Sequence, residues 1–420
     1  MDGDTGKSLR GQWLTLATFA FHAACNQFLF MDFAPVSEIT KQTFNITNGG
    51  VNYLYTVSLM AAVPSILCTM HFIDAHNWKV SFIGVASTVV AAWLRFASVQ
   101  SHSFGLAVAS SIALGPGVGI IFTGFTEIPA RCFIEEKDRA VAAAIAAQST
   151  FFGWGLGSLV VPVAVTSYAA LNQCMLTQAI VVSFCLPVFL LGHTSTVTSP
   201  TNAQSPAQTD YGAGRLRSSA GAQVEVQSDI ASSLRAMICS TSFALPANSC
   251  ALLEAVGFTV PAVQEAVMSA LGFSNTNIAA FGCCFIMAGV VVGLILGHFA
   301  FGNPRRIVLY LFWAAAAATC AMWGLVSIAN GAEYFLVFLT LMVICGGCSL
   351  GFVGVALPLT ASAMPGTPES HTGGDVGIMA FALGAVLTQL STGQQFTVCA
   401  IAALSAAIGA SFSIPCSSES

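Results

Sequence analysis

The stretch NIAAFGCCFIMAGVVVGLILGHFA, residues 277–300, is 24 residues long and contains no Asp, Glu, Lys or Arg. The hydrocarbon core of a bilayer is about 30 Å thick, and a helix crosses it with about 20 apolar residues. A strand of a membrane β-barrel needs only about 10 residues, with polar and apolar side chains in alternation. This stretch is longer and does not alternate, so it predicts a membrane-spanning α-helix.

Similar stretches recur along the whole chain. The 420 residues are 55% hydrophobic and only 7% charged, whereas a soluble protein has about 25% charged residues. Twelve spans are predicted, at residues 12–36, 51–73, 80–99, 104–129, 140–165, 174–193, 236–263, 277–300, 306–328, 333–362, 373–394 and 396–414. We therefore predict an all-α polytopic protein whose surroundings are a lipid bilayer.

Residues 194–235 separate the first six spans from the last six. This segment is rich in Ser, Thr, Ala, Gln and Gly, and it cannot bury enough apolar surface to fold alone. We predict a six-helix lobe at 1–193, a flexible cytosolic linker at 194–235 and a second six-helix lobe at 236–420.

Lysine and arginine residues fall on one side of the predicted spans. With a cytosolic N-terminus, 11 of the 13 lie in cytosolic segments, as the positive-inside rule requires. They are Lys7, Arg10, Lys79, Arg131, Lys137, Arg139, Arg215, Arg217, Arg235, Arg305 and Arg306. The prediction is a plasma-membrane protein, or alternatively one of an organelle membrane, with both termini cytosolic. Asn45, in Asn-Ile-Thr, then lies outside as a possible N-glycosylation acceptor.

The two halves of the chain repeat each other. His71 at the end of the second span is matched by His298 at the end of the eighth, 227 positions later, and both are followed by Phe. Pro129 near the end of the fourth span is matched by Pro358 near the end of the tenth. Each unit has six spans, so the repeats run in the same direction. This arrangement resembles the major facilitator architecture, in which a central site lies between two lobes.

Polar and aromatic side chains recur at helical spacing on three spans. They are His22, Asn26, Phe30 and Phe33 on the first span, Gln148, Phe151 and Phe152 on the fifth, and Glu254, Phe258 and Glu265 on the seventh. Aromatic stripes are more often core packing, but polar groups that face lipid are costly. The polar members therefore favour a cavity lining over simple packing.

Several charged residues lie where a gate or a buried ion pair is expected. Asp74 and Lys79 follow the second span, where they are either a cytosolic gate or solvated loop charges. Glu127 and Arg131 are one helical turn apart and can pair, which favours a gating or structural role. Arg95, inside the third span, is either paired or reaches to the membrane interface.

The chain contains no pattern that indicates a resident metal or cofactor. Its 14 cysteines are scattered, and Cys345 and Cys348 form the one CxxC spacing, with no second pair beside it. The zinc-protease pattern His-Glu-x-x-His is absent, and no basic run indicates nucleic-acid binding. We predict no enzymatic activity, no cofactor, no metal and no nucleic-acid partner, and a monomer.

Five segments together resemble solute carrier family 49, the feline leukaemia virus subgroup C receptor-related transporters. They are NQFLFMDFAPV at 26–36, AWLRFAS at 92–98, RAVAAAI at 139–145, LPLTASA at 357–363 and PESHTG at 368–373. The resemblance follows nearly all the spans in order, and it implies a twelve-helix major facilitator that moves a small organic solute by alternating access.

The same resemblance implies choline or ethanolamine as the solute class, with haem or another porphyrin as the alternative. Phe30 stands where better-known members have a Trp, and Phe151 and Phe381 stand where they have cavity glutamines. Phe381 therefore joins the predicted substrate-binding residues, because ring faces attract quaternary ammonium groups. Glu254 favours a cation or a neutral amine over an anion. A transporter-shaped receptor or sensor is the alternative from another class.

Overall fold

A computed structural model describes residues 5–133, 135–196, 230–299, 304–328, 331–361, 367, 369–391 and 396–413. Residues 197–229, most of the predicted linker with Arg215 and Arg217, lie outside the described residues. Every regular element in the described ranges is helical, which confirms the predicted all-α class.

Eight α-helices form the first half of the chain. They are α1 Thr5–Phe30, α2 Ser37–Phe44, α3 Asn48–Gln100, α4 Phe104–Ala113, α5 Gly115–Cys132, α6 Glu136–Ala164, α7 Tyr168–Ser183 and α8 Cys185–Thr196. A 3-10 turn at Ala34–Val36 joins α1 to α2. The first span is therefore interrupted near its end.

Eight further α-helices form the second half. They are α9 Ile230–Cys239, α10 Thr241–Ala270, α11 Asn275–Phe299, α12 Pro304–Ile328, α13 Phe335–Gly351, α14 Val353–Ala361, α15 Glu369–Leu390 and α16 Thr397–Ser413. In the described residues, 11 helical segments are long and apolar enough to cross a membrane. The predicted twelfth span corresponds to a shorter apolar helix, Thr397–Phe412.

Helix α3 contains both the second and the third span, predicted at 51–73 and 80–99 and found at Gly49–Phe72 and Trp78–Gln100. Gly115 of α5 lies against the carbonyl of Ala61, and Gly117, two residues later, lies against Thr88. A straight helix would separate Ala61 and Thr88 by about 40 Å. Helix α3 therefore bends back on itself between these two spans.

Each half of the chain contains an equivalent hydrogen bond between a tryptophan and a serine. Trp93 Nε1 donates to Ser183 Oγ at 3.1 Å, and Trp313 Nε1 donates to Ser411 Oγ at 3.1 Å. Each bond joins the third span of its half to the sixth. This correspondence supports the repeat that the sequence predicts.

The two halves meet closely at both ends of their interface. We name the membrane face on which α1 begins and α16 ends the terminal face, and the opposite one the distal face. Toward the terminal face, Gly297 and Gly354 pack on Ala144 of α6. Toward the distal face, Ser37 Oγ donates to Glu265 Oε1 at 2.6 Å and Gln389 Nε2 donates to a Thr56 hydroxyl at 2.8 Å.

Candidate substrate site between the lobes

An aromatic cluster fills the middle of the interface between the two halves. We define it as Tyr55, Phe122, Trp154, Phe258 and Phe381. The ring of Phe258 lies 5.1 Å from that of Trp154 and 5.2 Å from that of Phe381, whose ring lies 4.6 Å from Phe122. Tyr55 Oη donates to the Phe258 carbonyl at 3.0 Å. The cluster therefore joins three spans of the first half to two of the second.

The structure brings four of the predicted aromatic residues to this cluster. Phe258 and Phe381 belong to it, Phe151 lies 6.3 Å from Trp154, and Phe30 lies 6.4 Å from Tyr55, ring centre to ring centre. Ring faces directed toward one interface can attract an organic cation once the lobes separate.

Sequence patterns did not indicate Tyr55, Phe122 or Trp154 as site residues. Trp154 stands between Gly153 and Gly155 in the fifth span, three residues after the predicted Phe151. A large ring between two glycines, one turn from a predicted site residue, was the available signal. Tyr55 and Phe122 lie on spans where no polar stripe drew attention to them.

Glu254 lies one helical turn before Phe258 on α10. It is 2% exposed, and its Oε1 atom has no hydrogen-bond partner among the described residues. A buried carboxylate is stable when it is protonated or when a cation lies beside it. The structure thus places one acidic group beside the aromatic cluster.

His22 and Asn26 point into the first half of the chain rather than toward the cluster. His22 Nε2 lies 3.0 Å from Thr88 Oγ1, and Asn26 Nδ2 donates to the same oxygen at 2.9 Å. The Thr88 hydroxyl donates its proton to the Gly84 carbonyl at 3.1 Å, so it accepts from both side chains. These contacts lie away from the cluster, and the role of both residues in substrate binding remains a prediction.

Three further predicted residues also lie apart from the cluster. Phe33 packs against Phe44 and lies under the guanidinium of Arg95, 5.1 Å from ring centre to Cζ. Gln148 crosses between the halves, with Nε2 donating to the Leu350 carbonyl at 3.4 Å. Phe152 is 41% exposed on the surface.

Arg95 is buried and paired, which decides between its two predicted interpretations. Its Nη1 atom lies 2.8 Å from Asp32 Oδ2 and also donates to the Leu29 carbonyl. Helix α1 ends at Phe30, so the guanidinium satisfies a carbonyl that the interrupted helix leaves open. Through this pair, Asp32 joins the end of the first span to the third.

The predicted gate residues are only partly described. Glu127 Oε1 and Arg131 Nη2 lie 2.6 Å apart, so the predicted pair forms, while its gating role remains a prediction. Lys79 is exposed, and the Asp74 side chain lies outside the described residues. Asn45 is exposed with a left-handed backbone, φ 53°, and its glycosylation remains a prediction.

Two further features of the described residues concern metal binding and a serine in a hydrolase-like spacing. No group of three or more His, Cys, Asp or Glu there could hold a metal ion. Ser349 stands in the spacing Gly-x-Ser-x-Gly at 347–351, which in hydrolases marks a nucleophile on a strand-to-helix turn. Here Ser349 is buried inside α13, so the pattern serves helix packing.

Solved structures identify the architecture. Two structures of FucP match with TM-scores of 0.64: one is described as the E. coli fucose:proton symporter, and the other as a major facilitator superfamily transporter in the outward conformation. They cover 97% of this chain and 99% of FucP at 13% and 14% sequence identity. The chain has the major facilitator fold.

Sequence comparison confirms the predicted resemblance to the subgroup C receptor-related transporters. The choline/ethanolamine transporter FLVCR1 of Mus musculus is 22% identical over 163 residues, which is 39% of this chain and 29% of that protein. The choline/ethanolamine transporter flvcr2a of Danio rerio is 23% identical over 165 residues, 39% of this chain and 35% of that protein. The match thus spans about a third of these relatives. No family model matches the chain.

Proposed function

We propose that this chain moves a small organic amine across a membrane by alternating access of two lobes, 1–193 and 236–420. The observation that carries the proposal is Glu254, a buried carboxylate one turn from an aromatic cluster that joins the lobes. No described Lys or Arg pairs with it in a salt bridge. An acid beside ring faces is suited to a cation and unsuited to an anion.

Choline and ethanolamine are the proposed solutes because the matched relatives are named for them. In the proposed orientation both termini and the 194–235 linker are cytosolic, and the distal face is outside the cell. The alternative solute, a porphyrin, lacks support at His22, because its Nε2 atom is engaged by Thr88.

Uptake into proteoliposomes tests this proposal. The purified chain should give saturable uptake of radiolabelled choline or ethanolamine that protein-free vesicles lack. Binding of either amine without uptake would instead support a receptor or sensor. Absence of both binding and uptake for these amines would overturn the proposed substrate class.

A further inference from the structure

A small cavity with polar lining residues lies between the lobes, one helical turn from the aromatic cluster toward the distal face. Ser158 follows Trp154 by one turn on α6, and Ala262 follows Phe258 by one turn on α10. We name this cavity the vestibule. Its cavity volume is about 30 Å³, and its walls include Met31, Pro35, Pro162 and Pro261.

Two neighbouring polar side chains of α10 line the vestibule. Gln264 is 7% exposed, and its Nε2 atom donates to the Ile278 carbonyl at 3.4 Å. Its Oε1 atom has no hydrogen-bond partner among the described residues. Glu265, the next residue, adds a carboxylate to the same lining.

The chemistry of these groups selects the ligand. A buried amide oxygen without a donor is costly, and a ligand that supplies an N–H group removes that cost. A primary ammonium group carries three N–H donors and a positive charge, so it can serve both Gln264 and Glu265. A quaternary ammonium group has the charge but no N–H donor.

We propose that the vestibule is a second amine site, built around Gln264 and Glu265, that prefers primary ammonium groups over quaternary ones. The inference deepens the proposed function, on which it rests for the choice of an amine.

A hydrogen bond from Ser37 links this site to the interface between the lobes. Its hydroxyl, from the first lobe, donates to Glu265 Oε1 of the second at 2.6 Å. The free space inside the vestibule is narrow in this conformation. The Glu265 carboxylate can accept more than this one hydrogen bond, so an ammonium group can bind it beside the Ser37 hydroxyl. Because the free space is narrow, the distal ends of the lobes must move apart as that group enters.

Competition binding to the purified full-length chain tests the proposal. Radiolabelled ethanolamine is displaced by methylammonium or by tetramethylammonium, two probes without a hydroxyl group. We expect methylammonium to displace at a concentration lower by about tenfold or more, the effect of one hydrogen bond to a charged group. We expect Gln264→Leu to weaken methylammonium by about tenfold and to leave tetramethylammonium within about twofold.

Matched variants separate the effect of Gln264 from a general effect on the protein. Gln173→Leu makes the same change at an exposed residue of α7 and should alter neither probe. Gln264→Met replaces Gln264→Leu if the latter does not fold. The measurement is repeated in the Glu254→Gln background, where the Gln264 effect should persist because the vestibule is separate from the cluster.

Equal weakening of both probes by Gln264→Leu, or no change in either, would overturn the preference for N–H donors. Loss of the Gln264 effect in the Glu254→Gln background would show a single site. A chain that binds these probes as expected but transports no amine would contradict the proposed function and leave the vestibule site intact.

Discussion

At the scale of single residues, Glu254 is the group whose charge state should govern amine binding. Glu254→Gln keeps the size of the side chain and removes its charge. We expect choline affinity to fall by about tenfold or more, which corresponds to about 1.4 kcal/mol. Because the carboxylate must be ionised to attract a cation, binding to the wild type should weaken as pH falls, and the variant should lose this dependence.

Radioligand binding between pH 5 and 8, about the range in which proteins are most stable, would measure this effect. Glu333→Gln, at an exposed acid, is the matched control and should leave choline affinity unchanged. A Glu254→Gln chain with wild-type affinity at every pH would make Glu254 a packing residue.

The buried Asp32–Arg95 pair should matter for stability rather than for substrate choice. Arg95→Leu leaves the Asp32 carboxyl buried without its partner, and breaking a buried pair costs about 3–5 kcal/mol. Thermal unfolding in detergent should show a large drop in Tm for Arg95→Leu. The Lys41–Glu38 pair, in which the Glu38 side chain is 70% exposed, gives the comparison, since Glu38→Gln should cost less than about 1 kcal/mol. Equal drops in Tm would contradict the assignment.

At the scale of helices, close packing depends on glycines that face backbone carbonyls. Gly346 of α13 lies against the Phe285 carbonyl of α11, where a Cβ atom would clash, whereas a Cβ at Gly324 of α12 would meet nothing within 4 Å. We expect Gly346→Ala to lower Tm and the yield of folded protein, because the helices must move apart. Gly324→Ala should leave Tm unchanged or raise it. A harmless Gly346→Ala would contradict this packing.

The sequence predicted where the helices lie, but not which neighbour each helix face meets. Long uncharged stretches decide where helices form, because a bilayer leaves few alternatives. A stripe of residues shows which side chains share a face, as for Glu254 and Phe258, but not which neighbour that face meets. His22 and Asn26 share a face with each other, yet the face meets Thr88 inside the lobe. The Asp32–Arg95 contact joins residues 63 positions apart, and local spacing cannot reveal it.

At the scale of the whole molecule, alternating access requires the two lobes to separate at the distal face. Thr56 of the first lobe and Gln389 of the second touch there through a hydrogen bond of 2.8 Å. We expect a reducible bifunctional thiol reagent to join the lobes in the double variant Thr56→Cys with Gln389→Cys. Rigid-body rocking of the lobes would then stop, so choline uptake should fall to the level of protein-free vesicles.

A reductant should restore uptake in the same preparation, and each single variant should transport normally after the same treatment, because one thiol cannot bridge the lobes. The native cysteines are present in all three variants, so their reaction cancels in the comparison. Full uptake with the lobes joined would mean that the solute passes without separation of the distal ends. The hydrogen bond from Ser37 to Glu265 would then be a fixed structural contact, and the solute would have to reach the aromatic cluster by another route.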